Sequence, residues 1–327
     1  MQRSQQGNAR HGPGRMLALA ALLFAFGGAA PAQTSYPQRP VQVIIGFPAG
    51  GSVDVMARTL VAAIAADLGQ TFAIANRDGA SGTIGFGQVA SAAPDGYTLG
   101  GGPTTPIAIA PHLMKNLKFG VASFEYVCQS FENVFTIAVP VDSPLRSMAD
   151  VLAAARANPG KLSYGHSGIG TVPHLTVANF VHRTELNVSA VAYRGETGML
   201  PDLVAGRLDF GAPSVALAIG QRVRVLAVFA DSRHPAFPDV PTFAELGMPS
   251  MPPGLNGLFA PKGTPREVLA VLERACERAT QSEAFRAAAQ RLSQRIAYLN
   301  GATFAERTQA DSQYKGDLIK AINLKVE

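Results

Sequence analysis

The sequence predicts an α/β protein in two lobes, on three observations. Short apolar strands alternate with helical stretches, the pattern of a parallel sheet covered on both faces. Glycine-rich turns stand where those strands end. Once an N-terminal export segment is set aside, about 295 of the 327 residues remain, a length that suits two domains.

The export segment comes first in the chain. Arg3, Arg10 and Arg15 form a basic start, Met16 to Phe26 an apolar run, and Ala30-Pro31-Ala32 a small-x-small cleavage site. The run is too short to span a bilayer. Residues 1–32 are therefore expected to be a signal peptide cleaved after Ala32, with export to the periplasm. The whole chain carries +5, and loss of three arginines with no acids leaves +2. That charge, with no basic block among aromatics, gives no argument for nucleic acid.

Val41 to Ile45 is an apolar, β-branched run that reads as a buried strand. Val55, Leu60, Ile64 and Leu68 follow at helical spacing. Between them Phe47-Pro48-Ala49-Gly50-Gly51-Ser52 makes a strand-to-helix turn, with Ser52 as the expected N-cap. Such a turn aims bare N–H groups and a positive helix end at whatever lies above the strand, a site for a carboxylate or phosphate. No Gly-Lys-Ser/Thr follows and no Gly-x-Gly-x-x-Gly is present, so neither nucleotide fingerprint applies.

The alternation continues. Thr71 to Ala75 is a strand, Ile84 to Ala93 a helix, and Tyr97 to Leu99 a strand running into a loop at Gly100 to Thr105. Pro106 to Met114 is a short helix. Val127 to Pro140 reads as a connection out of the first unit. A second unit opens with a helix from Ser147 to Asn158 and a strand from Leu162 to Tyr164. That strand enters Gly165-His166-Ser167-Gly168-Ile169-Gly170-Thr171, a second loop at a helix start. Val188 to Tyr193, Leu208 to Gly211, Arg224 to Ala230 and Gly257 to Ala260 are strands, with a helix from Met199 to Ala205. Thr264 to Glu267 and Thr303 to Glu306 read as capping boxes of C-terminal helices. In such sheets ligands sit beyond the carboxyl ends of the strands.

Cys128 and Cys276 are the two cysteines. Export permits a disulfide, but two cysteines make no framework, and burial as small apolar side chains is the favoured reading. No metal and no cofactor is expected.

Several stretches, in order, resemble the substrate-binding receptors of tripartite tricarboxylate transporters, the Bug-type periplasmic proteins. They are Tyr36 to Pro40, Phe47 to Asp54, Asn76 to Gly85, Pro94 to Leu99, Asn158 to Leu162, Val240 to Glu245 and Gly263 to Pro265. The resemblance implies a type II periplasmic-binding fold with a ligand cleft between lobes: lobe 1 from residues 35–138 and 255–327, lobe 2 from 139–254. It implies capture of a small carboxylate, gripped by Ala49-Gly50-Gly51-Ser52 and by Ser167 to Thr171. The partners it implies are the membrane permease subunits of a transporter or, alternatively, a membrane sensor kinase; a monomer is expected. The chain departs from the family pattern at His166, where serine is usual, and at Ala212-Pro213, where a Phe-Asp pair is frequent. It also has no tryptophan. These departures bear on the far end of the pocket. Loss of the Phe-Asp carboxylate favours ligands without an ammonium group.

The expected ligand-binding residues are Phe47, Ala49, Gly50, Gly51, Ser52, Asp54, Thr104, Thr105, His166, Ser167, Gly168, Gly170, Thr171, Tyr193 and Arg194. For Ser52, Asp54, Thr104 and Thr105 a purely structural role is the alternative, and for His166, a donor to an anionic ligand in the first reading, the alternative is a surface loop residue. Asp54 fits a first-turn dipole partner, and Arg194 either a second carboxylate's partner or a solvated side chain. His174 is expected to pack within its helix. No nucleophile elbow, Gly-x-Ser-x-Gly, surrounds Ser52 or Ser167, so no enzyme is expected and a hydrolase is the remote alternative.

Overall fold

Val41, Val43, Ile44 and Ile45 are fully buried in β1 (Val41–Ile45) of the computed structural model, which describes Gly7, residues 36–248 and residues 251–324. The signal-peptide expectation, Gly7 apart, falls outside the described residues. β1 leads to α1 (Ser52–Leu68), β2 (Phe72–Asn76), a 3-10 turn at Ala80–Gly82, α2 (Thr83–Ala90), β3 (Thr98–Pro103), and the short helices α3 (Thr105–Ala108) and α4 (Ala110–Leu113). β4 (Phe124–Asn133) and β5 (Thr136–Pro140) follow. Next come α5 (Met148–Ala157), β6 (Ser163–His166), α6 (Val172–Arg183), β7 (Ser189–Ala192) and α7 (Glu196–Val204). β8 (Phe210–Gly211), α8 (Val215–Ala218), β9 (Val223–Val228) and β10 (Gly254–Pro261) lead to α9 (Arg266–Gln281), α10 (Glu283–Arg291), β11 (Arg295–Asn300) and α11 (Gly301–Ala321).

Two sheets result. The six-stranded sheet has order β11-β4-β10-β3-β1-β2, and the five-stranded sheet β7-β6-β8-β5-β9. β1 lies parallel between β2 and β3, and β6 parallel between β7 and β8. β10 runs antiparallel between β3 and β4, so the chain returns to the first sheet after completing the second. Phe86, Phe124, Phe259 and Phe304 fill one core. Ile137, Val151, Leu175, Phe180, Phe210 and Phe243 fill the other, joined by Ile109 from α4's edge and Ile319 from α11.

Several expectations need correction. The supposed connection over Val127 to Pro140 is two strands, β4 and β5, and the chain passes between sheets at Val134–Phe135. Gln129, Ser130, Glu132 and Asn133 are buried in β4 among apolar residues, so no alternation marks the strand, and its pairing is entirely long-range. The expected lobe boundary at 138/139 thus falls inside β5. Gly100, Gly101 and Gly102 belong to β3, not to a loop. A Cβ on Gly100 would meet the Phe86 ring at 3.3 Å, and one on Gly101 would meet Val43 at 3.2 Å; these glycines serve close packing inside the strand. Between the C-terminal helices the chain also forms a strand, β11, that the helical reading of this region does not include. Pro265, not Thr264, precedes α9, and Thr264 instead donates to the Pro261 carbonyl at 2.8 Å. Asn300 caps α11 by accepting the Thr303 N–H, which puts Thr303 inside the helix.

Cys128 and Cys276 form a disulfide rather than two free buried thiols. β4 is an interior strand of its sheet and α9 packs across it, which brings residues 148 apart in sequence face to face. Among the described residues no helix is long and apolar enough to cross a membrane.

Candidate ligand-binding cleft

β1 ends below the turn that the sequence singles out. Gly50 has φ +83°, a conformation open to glycine, and Gly51 rather than Ser52 is the N-cap of α1. Ser52 is the first helical residue and is freed for another task. Asp54 accepts from the Gly50 N–H at 3.0 Å, from Asn76 Nδ2 at 2.8 Å and from Arg58 Nε at 2.8 Å. Burial alone would raise its carboxyl, but Arg58, Asn76 and Gly50 outweigh that and hold it below the ordinary range. Asp54 is therefore a brace for the turn.

The second loop is built the same way on α6. Thr171 is the N-cap, and its Oγ1 donates to the Gly168 carbonyl at 2.7 Å. The Gly170 N–H donates to His174 Nδ1 at 2.9 Å. His166 Nδ1 lies 2.9 Å from the Gly168 carbonyl oxygen, and its ring stacks on His174 with centroids 4.1 Å apart. Both imidazoles are buried, His166 at 1 % and His174 at 6 % exposure, so His166 is no surface residue. Burial pushes His166 down to about 4; burial, and then the neighbouring His166, push His174 down to about 3. The neutral pair is a floor under the loop.

The two loops face each other across a closed cleft. Ser81 Oγ donates to the Ile169 carbonyl at 2.6 Å, and Ser52 Oγ donates to Glu196 Oε1 at 2.8 Å. Glu196 opens α7 and also accepts the Ser214 N–H, on Oε2, at 2.8 Å. Between the loops lies a cavity of about 50 Å³. Small-molecule sites start at about 300 Å³, so the lobes must part before a ligand enters. Phe47, Val53, Phe135 and Val172 form apolar walls, and Ser167, Asn133, Asn256 and Glu196 are polar walls. No lysine or arginine lines it among the described residues.

Of the expected residues, Phe47, Gly51 and Ser167 line the cavity, and Ser52 reaches its wall through Glu196. Ala49 and Gly50 are exposed on the turn. Asp54, His166, Gly168, Gly170 and Thr171 shape the loops from behind. Thr104 and Thr105 are buried at the start of α3, where the Thr104 carbonyl accepts the Ala108 N–H. Tyr193 donates from its hydroxyl to Asp202 at 2.7 Å, away from the cavity, and Arg194 is exposed. Sequence reasoning missed Glu196, Asn133 and Asn256. Glu196 was within reach of it, as the residue after Gly195 in a third strand-to-helix turn. The asparagines sit in strands that themselves went unread or were read short.

Comparison with known proteins gives the arrangement its place. Residues 56–324 match the family described as TctC, the tripartite tricarboxylate transporter family receptor. A protein of Cupriavidus necator, encoded in the gbd 5' region and classed UPF0065, is 33% identical over 295 residues, 88% of this chain and 90% of its own. Among solved structures, the periplasmic binding protein BugD has a TM-score of 0.83 at 27% identity, over 89% of this chain and 100% of its own. R. palustris Rpa4515 with adipate has a TM-score of 0.83 at 27% identity, over 89% and 99%. MatC from Rhodopseudomonas palustris with bound malate has 0.80 at 28%, over 87% and 100%. The fold is thus the two-lobed periplasmic-binding type, and the chain belongs to the tripartite tricarboxylate transporter receptor family.

Proposed function

We propose that the protein is exported to the periplasm, captures a small organic carboxylate between its lobes, and hands it to the permease subunits of a tripartite tricarboxylate transporter. One observation carries this reading: the N-termini of α1 and α6 converge on one closed cleft whose walls, among the described residues, hold no lysine or arginine. Helix starts supply N–H donors and partial positive charge, which suits one carboxylate without a buried lysine. Binding of adipate by Rpa4515 and of malate by MatC supports the ligand class. The same loops argue against catalysis. Ser52 is spent on Glu196, and His166 is spent on Gly168 rather than on activating Ser167. The protein works as a monomer in this reading, its lobes closing on the ligand.

The test is a thermal-shift screen of mono- and dicarboxylic acids on purified protein, followed by calorimetry. A ligand at a hundred times its dissociation constant adds about 2.7 kcal/mol of stability. Binding that is lost in a folded Gly168→Asp variant supports the grip. No response to any carboxylate refutes it.

A further inference from the structure

The cleft already holds a carboxylate of the chain's own. Glu196 is buried at 8 % exposure in the cavity wall, and among the described residues it is the one acid there. No lysine, arginine or histidine pairs with it among the described residues. Its two oxygens are divided between the lobes. Oε1 accepts from Ser52 Oγ of the first loop, and Oε2 accepts the Ser214 N–H. Ser52 is the one residue of Ala49-Gly50-Gly51-Ser52 with a side-chain donor. The neighbours of Glu196 seat on the same turn. A Cβ on Gly195 would come within 3.0 Å of the Pro48 ring, and one on Gly51 within 3.8 Å of Thr197. Gly195-Glu196-Thr197 thus docks as a unit on the start of α1, with its carboxylate where an anion is favoured.

We propose that Glu196 is a built-in competitor for the ligand's carboxylate and the residue that selects against a second one. The ligand's carboxylate takes the place of Glu196 at the start of α1. Glu196 then stays in the wall on the Ser214 N–H, and its charge repels any further anionic group. The proposal rests on the receptor reading above and narrows its ligand class to monocarboxylates. The other walls agree. Phe47, Val53, Phe135 and Val172 offer apolar contact to an uncharged remainder. A second carboxylate would find no counter-charge: no lysine or arginine lines the cavity among the described residues, Arg194 is exposed outside its lining, and His166 is engaged with Gly168. Like charges confined between such walls repel strongly, because little water screens them.

The experiment is calorimetry on purified protein with pairs in which a second carboxylate replaces a methyl group: butyrate and succinate, pentanoate and glutarate, hexanoate and adipate. The monocarboxylate of at least one pair should bind at least tenfold tighter. Glu196→Gln removes the charge, so both members of a pair should gain affinity, the dicarboxylate more, and the preference should fall at least tenfold. Glu196→Asp keeps the charge but is one methylene too short to span Ser52 and Ser214. It should strengthen the acids and leave the preference in place. A residue that merely supported the fold would move neither the preference nor the affinity in these directions. Dicarboxylates that bind the native protein as tightly as their partners overturn the proposal and leave the receptor reading standing. So does a preference unchanged in Glu196→Gln, or a loss of affinity for the monocarboxylates in both folded variants. Acids that bind Glu196→Gln alone uphold the competitor. Binding of none of them to either protein overturns both readings.

Discussion

The histidine pair beneath the second loop makes stability fall in mild acid. His166 and His174 are buried against each other and held neutral, with folded-state values near 4 and 3 against about 6.5 in an unfolded chain. Between those limits the unfolded state binds more protons, so stability drops as pH falls through 6.5 and levels off only near the folded values. At pH 5.5, one unit below the unfolded value, each histidine costs about 1.4 kcal/mol and the pair about 3 kcal/mol. That size depends little on how far below 5 the folded values lie. The assay is urea unfolding at pH 7.5 and pH 5.5, on the native protein and on His166→Asn/His174→Asn. Asparagine keeps an acceptor near each Nδ1 position, so the Gly170 N–H retains a partner. The native protein should lose about 3 kcal/mol more than the variant on acidification. His112 and His234 are also lowered, chiefly by burial, and are common to both proteins, so they cancel. Equal losses in the two proteins would refute the reasoning, as would a native protein that gains stability in acid.

Other consequences are checked as directly. Reducing the Cys128–Cys276 bond, which closes 148 residues of chain, should lower unfolding free energy by about 2–5 kcal/mol in denaturant melts; unchanged melts under reductant would argue against the bond. Lys315 and Asp311 form a buried pair on α11, at 0 % and 7 % exposure. Asp311→Ala should cost about 3–5 kcal/mol, while Asp311→Leu/Lys315→Met should recover most of it, read by the same melts. Gly168 has φ +133°, and a Cβ there would come within 2.7 Å of Ser81 Oγ. Gly168→Ala should therefore break the Ser81–Ile169 bond and reduce ligand-driven compaction in small-angle scattering; full compaction would count against a closing role for that contact.

Much of the architecture was legible because it is local. β1, α1 and the glycine turn between them are encoded within thirty residues, and so are β6, its loop and α6. What was hidden is what long-range pairing creates. β4 is buried between β10 and β11 and shows no alternation, so it read as a linker. With β4 went Asn133 and the reach of Cys128 to Cys276. The site divided along the same line. Glycines and hydroxyls of the two loops announce themselves by their turn chemistry. Which of them touch the cavity depends on how the lobes meet, and that contact sent Ser52 to Glu196 instead of to its own helix.

Closure and recognition therefore share atoms. The closed cleft is latched by the Ser52–Glu196 bond, a hydroxyl on a carboxylate, which contributes about 1.5–3 kcal/mol where buried. A cavity of about 50 Å³ admits no ligand, so binding passes through the open form. A latch of about 2 kcal/mol leaves the open form a few per cent populated and weakens apparent affinity about thirtyfold. Ser52→Ala removes the latch. A carboxylate that does not use the Ser52 hydroxyl should then bind up to about thirtyfold tighter in calorimetry, and unchanged affinity would place the latch away from Ser52.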